Sequence, residues 1–230
     1  MKILVLIPAR SGSKGIRNKN IIDINGLPML AWSIKQAQNS KYYNQMKIIL
    51  STDSEKYRKI GIKYGAEVPF LRPAKISGDL STDYECVEHC LNYLAKENYV
   101  PDFIVQLRPT YPTRKVKILD DCISKFISNR NNYDSLRTVV PFEKSPYKMY
   151  RIIDNNLEPL FKTVDNIVEP YNECRQKLPT TYLHNGYIDI LNTNIVKEKT
   201  ISGNKILPYV MSKEEIHDID ELKDIKLILN

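Results

Sequence analysis

Lys2-Ile3-Leu4-Val5-Leu6-Ile7, running straight into Pro8-Ala9-Arg10-Ser11-Gly12-Ser13-Lys14-Gly15-Ile16-Arg17-Asn18-Lys19-Asn20, decides how this chain folds. Five consecutive apolar residues, mostly branched, suit a strand buried on both faces of a parallel sheet. The loop after such a strand opens at the carboxyl end of the sheet, where open α/β folds bind ligands. This loop holds four cations (Arg10, Lys14, Arg17, Lys19), two glycines, two serines and no acid. That composition suits a polyphosphate, because glycine lets backbone N–H groups approach oxygens while Arg and Lys neutralise charge. A solvated basic turn has the same composition. It is not a P-loop, since Gly15 is followed by Ile16, and the glycines do not make a dinucleotide G-x-G-x-x-G.

The 230 residues are enough for one α/β domain with a sizeable core, and 42% of them are apolar. The net charge of +7 leaves nucleic acid, an anionic membrane or an anionic metabolite as partners. Outside the first loop the cations are interspersed with acids and not interleaved with stacking aromatics, which points away from nucleic acid and toward a small anion. No apolar run approaches the ~20 residues of a membrane span, and the first strand is too short for a signal peptide, so a cytoplasmic protein is expected. Cys86, His89 and Cys90 could suggest a metal site. A helix with Tyr84, Val87, Leu91 and Leu94 on one face, and Cys90 beside it, accounts for the cysteines as core residues.

Strand and helix patterns alternate beyond the first loop. Helix is expected from about Met29 to Gln38 after Pro28, then strand at Lys47–Leu50, and helix up to about Tyr64 with Gly65 as its stop. A short strand at Glu67–Phe70 follows, then a helix capped by Ser81 or Thr82 with Glu85 completing a capping box. Strand at Phe103–Leu107, helix at about Val116–Ser128 and strand at Leu136–Val140 continue the series. The fold class is α/β, a mostly parallel sheet with helices on both faces. Between about residues 141 and 179 five prolines break the periodicity. An unstructured loop of that length is unusual inside a compact domain, so a small protruding arm that packs on a partner is expected. Strands at Tyr187–Leu191 and Ile206–Val210 and a helix from about Asp220 to Leu229 close the domain.

Asp218 and Asp220 are two apart, so in an extended segment their carboxylates point the same way and suit Mg2+. Asp220 also stands where a helix N-cap belongs. The paired prolines of Arg108-Pro109-Thr110-Tyr111-Pro112 fix a rigid turn at a strand's carboxyl end. The three histidines are dispersed, and no Ser-His-Asp or Cys-His motif is evident.

The order Pro8-Ala9-Arg10-Ser11-Gly12-Ser13-Lys14-Gly15, then Asn18-Lys19-Asn20, resembles the opening signature of the acylneuraminate (CMP-sialic acid synthetase-like) cytidylyltransferases. The Arg72-Pro73-Ala74 run, the Leu107–Pro112 turn and Asp218-Ile219-Asp220 resemble further family motifs in the expected order. The resemblance implies an enzyme that couples CTP to a sialic-acid-like nonulosonic acid, giving a CMP-sugar and pyrophosphate. It implies that Arg10, Ser13, Lys14 and Lys19 face phosphates, with Ser11, Gly12 and Asn20 beside the nucleotide. Arg72 would contact the nucleotide, and Asp79 and Ser81 with Thr82 would serve base and ribose. Asp218 and Asp220 would hold Mg2+, with Mn2+ as a substitute. Lys148 and Arg175 would hold the acceptor's carboxylate, Asn185 would also bind the acceptor, and the arm would form a homodimer and serve the neighbour's sugar site.

The chain departs from the family pattern in its acceptor half. Arg108 replaces the Gln that reads the acylated sugar, and Asp189, on the strand after Asn185-Gly186, replaces a tyrosine. Arg108 adds a permanent charge that would suit an acceptor with an extra carboxylate, phosphate or phosphonate, or would pair with Asp189. A cytidylyltransferase for another acid (a 2-keto sugar acid or a phosphonate) therefore stays open. So do a glycosyltransferase reading, because Asp218-Ile219-Asp220 is also a D-x-D motif, and a non-catalytic nucleotide-binding module.

Overall fold

The computed structural model describes residues 1–12, 15–212, 218–219, 221 and 223–225. The first apolar run forms β1 (Ile3–Pro8), and Ile3 through Ile7 are fully buried. The short antiparallel pair β2 (Asp23–Ile24) and β3 (Leu27–Pro28) turns through Asn25 and Gly26, both at positive φ, and leads into α1 (Met29–Gln38). Then come β4 (Met46–Ser51) and α2 (Glu55–Lys63), whose exit passes through Gly65 at φ +95°. The expected strand at Glu67–Phe70 reduces to a single parallel bridge from Ile49 to Glu67.

α3 (Asp83–Lys96) starts in the expected capping box: the Glu85 N–H donates to Thr82 Oγ1 at 3.2 Å, and the Thr82 N–H donates to Glu85 Oε2 at 2.7 Å. β5 (Phe103–Gln106), α4 (Val116–Asn129) and β6 (Ser135–Pro141) follow as anticipated. The 141–179 stretch has secondary structure of its own. β7 (Tyr150–Ile153) pairs with β8 (Asn156–Pro159), and β9 (Thr163–Val164) pairs with β10 (Ile167–Val168). β11 (Tyr182–Asn192) and β12 (Ile206–Val210) complete the strands. Asn185 and Gly186 lie within β11, not ahead of it, where the register against β6 shifts between His184 and Asp189. Of the expected terminal helix, residues 223–225 are helical, and the rest apart from Glu221 lies outside the described residues.

The main sheet has the order β12-β6-β11-β5-β1-β4. β1 is parallel to β4 and β5, and β12 to β6, whereas β11 runs antiparallel to both its neighbours. One sheet face packs on α1, α2 and α4 through Leu30, Ile34, Tyr57, Leu119, Ile123 and Phe126. The other packs on α3, where Cys86, Val87, Cys90 and Leu94 meet Leu4, Leu6, Ile49 and Ile104. Burial raises the Cys86 and Cys90 thiols well above their usual range, so both stay protonated and behave as apolar core groups. Among the described residues no helix is long and apolar enough to cross a membrane. Leu119 is fully buried, so Leu119→Ala should cost about 2–5 kcal/mol in urea unfolding. A loss under ~1 kcal/mol would show that α4 is not part of the core as described.

Candidate active site

β1 delivers its loop to the carboxyl end of the sheet, beside the end of β4. The loop is bracketed there by an acid the sequence did not single out. Asp53 accepts from the Ser11 N–H and the Ser11 hydroxyl, each at 2.7 Å. Asn20 is buried and donates to the Arg10 carbonyl at 3.0 Å, closing the loop on itself. Arg10 pairs with Asp79 at 2.6 Å, which fixes the loop against the segment ahead of α3. Gly12 is exposed, and an added Cβ would meet nothing within 4 Å. Ser13 and Lys14 lie outside the described residues.

The far end of the chain returns to this loop. Lys19 Nζ donates to the Ile219 carbonyl at 3.0 Å, and the Ile219 N–H donates to the Thr110 carbonyl at 3.0 Å. Asp218 lies close enough to Tyr111 to help burial push the phenol above its usual range. The opening loop, the 108–112 turn and the 218–219 segment thus meet. Asp220 is outside the described residues, and among those described no group of three or more His, Cys, Asp or Glu is clustered for a metal.

A cavity of about 520 Å3 opens among these segments, lined by Arg10, Lys19, Asn20, Arg72, Ser81, Asp83, Arg108 and Thr110 among others. Arg72 is held there by its N–H, which donates to the Thr52 carbonyl at 2.7 Å. It is only 7% exposed, yet its Nε and Nη2 have no hydrogen-bond partner. A buried cation with idle donors is costly unless a ligand supplies acceptors.

Under the cavity the 108–112 turn rests on Arg114, which sequence reasoning passed over. Arg114 is 3% exposed. Its Nη2 donates to the Arg108 carbonyl at 2.7 Å, its Nη1 to Gln36 Oε1 at 2.5 Å and Ser33 Oγ at 3.2 Å, and its Nε to the Tyr187 carbonyl at 2.9 Å. The Gln36 amide in turn donates to the Tyr111 and Pro112 carbonyls at 3.1 and 2.9 Å. Burial lowers the Arg114 pKa to about 10, so it is still a cation at neutral pH. A lone arginine in a turn carries no local signal for this role.

Arg108 and Asp189, the two departures from the family pattern, touch. Arg108 Nη1 donates to Asp189 Oδ2 at 2.6 Å and to the Gly186 carbonyl at 3.1 Å, and Nη2 donates to Asp83 Oδ2 at 2.6 Å. Burial works against the Arg108 charge, but Asp189 and Asp83 outweigh it and raise the pKa further. Burial likewise works against ionised Asp189, and the His184 hydrogen bond with the Arg108 charge overcomes it, leaving this carboxyl below its ordinary value. His184 Nε2 lies 2.7 Å from Asp189 Oδ1, and His184 Nδ1 lies 3.5 Å from Arg137 Nη1. An ionised Asp189 can only accept, so Nε2 is the donor of that hydrogen bond.

The remaining predicted residues lie away from the cavity wall. The Asn185 carboxamide oxygen accepts from Thr138 Oγ1 at 2.7 Å and from the Tyr187 N–H at 3.0 Å, so this side chain supports the shifted register of β11. Lys148 is exposed and donates to the Glu173 carbonyl, within the 141–179 stretch. Arg175 lines a separate cavity of about 250 Å3 with Phe142, Ser145 and Leu178.

A mostly parallel sheet with a cation-lined cavity at the carboxyl ends of its parallel strands is the setting in which α/β folds bind nucleotides. A cytidylyltransferase family model matches residues 4–202, and the chain belongs to the cytidylyltransferase family. A pseudaminic acid cytidylyltransferase of Campylobacter jejuni is 30% identical, over 98% of this chain and 94% of that protein. An N-acylneuraminate cytidylyltransferase of Escherichia coli is 32% identical over 99% of this chain, which spans 51% of that longer protein. The solved structure of a CMP:2-keto-3-deoxy-manno-octonic acid synthetase complexed with CTP superposes with a TM-score of 0.67 at 12% identity, covering 100% of this chain and 97% of that one, which shows a shared fold.

Because the native Asp189 pKa is lowered, its contribution to stability is present above the unfolded value of 3.8 and is lost as pH falls through the folded value. Asp189→Asn should therefore lose stability at pH 7 and show a shallower further decline below about pH 4 in urea titrations. The same acid dependence in both proteins would remove Asp189 from the account.

Proposed function

We propose that this protein couples CTP to a nonulosonic acid, releasing pyrophosphate and forming a CMP-sugar. Family membership and full-length likeness to a pseudaminic acid cytidylyltransferase support the reaction. Buried Arg72, which lines the cavity and keeps two donors without a hydrogen-bond partner, is the observation that carries the nucleotide site. The acceptor's anomeric hydroxyl attacks the α-phosphorus in line. As the new P–O bond forms, the bond to the β-phosphate breaks, the hydroxyl proton leaves and pyrophosphate departs. Positioning and charge neutralisation do most of this work. Arg10, Lys19 and, from the sequence, Lys14 hold the phosphates.

The residues fit a hard cation: Asp218 stands beside the turn that lines the cavity, and Asp220 would add a second oxygen donor. A Mg2+ ion bound by them, or Mn2+ in its place, would neutralise phosphate charge and lower the pKa of the attacking hydroxyl. Lys148 and Arg175 would hold the acceptor's carboxylate from the partner protomer of a homodimer, consistent with their place in the arm, outside this protomer's cavity. The arm's exposed Ile152, Leu157 and Val168 supply apolar surface for that dimer. Use of CTP, a cytoplasmic metabolite, supports a cytoplasmic location.

Arg108 does not argue for a doubly acidic acceptor such as a phosphonate, because two carboxylates already take its charge. The test is pyrophosphate release from each NTP with Mg2+ and a panel of acids. CTP with a nonulosonic acid should turn over, Arg72→Ala should lower kcat/KM for CTP by roughly 100-fold or more, corresponding to about 2.7 kcal/mol, and Asp220→Asn should abolish turnover. Turnover of a preformed nucleotide sugar, without release from CTP and any acid, would sink the reading.

A further inference from the structure

Asp83, Arg108 and Asp189 form one charge cluster. It spans the first residue of α3, the turn after β5 and the middle of β11. The guanidinium sits between the two carboxylates at 2.6 Å from each. The Gly186 carbonyl takes a further donor of Arg108, and a Cβ at Gly186 would come within 3.0 Å of Arg108 Nη1. Gly186, at φ +69°, thus lets the backbone pass close behind the guanidinium. His184 braces Asp189 from its other oxygen, and Arg137 stands behind His184 with its Nη2 on Ser202 Oγ at 2.6 Å. Arg108 and Asp83 line the cavity beside the opening loop, whereas Asp189 is buried behind them.

The charge count decides what this wall accepts. Arg108 and the two carboxylates leave this three-residue clamp one negative charge in surplus, and the next cation, Arg137, stands behind His184. Asp83 is the partly exposed member, its side chain 36% accessible, so the surplus faces the cavity. An incoming anion meets like charge and cannot recruit Arg108 without stripping it from a carboxylate, whereas a hydroxyl or amide N–H finds an acceptor.

Resting on the proposed function, we propose that the Asp83–Arg108–Asp189 clamp is a specificity element of the acceptor half, admitting an acceptor whose facing substituent is uncharged and hydrogen-bonding and rejecting one that carries a second anion there. Asp83 touches the acceptor. Asp189, through Arg108, is a positioning residue, and His184 positions Asp189 in turn.

The test uses three forms of one nonulosonic acid that differ in their acyl-amino group: N-acetyl, N-succinyl with its added carboxylate, and N-succinamoyl, its uncharged amide of the same size. Initial rates of CTP-dependent pyrophosphate release are measured for the full chain. The wild type should favour the succinamoyl over the succinyl form by at least ~10-fold in kcat/KM, through KM for the acid. Asp83→Asn, half-exposed and tolerant of the change, should bring that ratio to within about twofold, and Asp83→Ser should do the same. Asp189→Asn should narrow it as well, with an unchanged circular dichroism spectrum as its check on folding. A wild-type ratio near one, or a ratio that none of the folded variants moves, would overturn the clamp alone. No release from CTP with any of the three acids would overturn the proposed function, and the clamp's role with it.

Discussion

A cation buried among neutral oxygens holds the ligand end of this molecule together. Arg114 reaches α1 through Ser33 and Gln36, the turn after β5 through the Arg108 carbonyl, and β11 through the Tyr187 carbonyl. Tyr111 and Tyr187 flank its guanidinium, with ring centroids 5.6 and 5.4 Å away. A turn with two prolines has few backbone donors of its own, so its carbonyls need partners from elsewhere. Arg114 and Gln36 supply them, and the turn that lines the cavity becomes rigid before any ligand arrives. The position of Arg108 follows from this, because its carbonyl is tied down on one side while its side chain is held on the other.

The regular part of the fold was legible in the sequence, because a strand buried on both faces reads as an unbroken apolar run and an amphipathic helix repeats its apolar face. β1, α1, the capping box of α3 and β12 follow from such local patterns. The direction of β11 did not, since apolar alternation is indifferent to whether a strand runs with its neighbours or against them. The expected Glu67–Phe70 strand failed for a related reason. Its short apolar pattern suits a strand, but only Glu67 reaches a partner, and the chain then turns away to bring Arg72 into the cavity.

The site was legible in a different way. Its cations lie in an ordered motif, and ordered motifs survive translation into space: Arg10, Lys19, Asn20, Arg72, Ser81 and Arg108 all reach one cavity. The groups that position them were silent. Asp53 holds Ser11 from 42 residues away, and Asp83 at the head of α3 reads in sequence as an acid favoured by the helix N-terminus. The Arg108–Asp189 contact was foreseeable because a buried carboxylate requires a counter-charge, but the second carboxylate at Asp83 had no such signature.

The reversed direction of β11 has a bearing on how this scaffold diversifies. β6 ends and β11 begins at the same end of the sheet as the cavity, so residues 142–181 are spliced in at its rim. Loss, growth or exchange of that insert would redraw the rim while leaving β1, its loop and the parallel core untouched. One inverted strand thereby puts the variable-length part of the chain on the cavity side of a sheet whose frame does not depend on it.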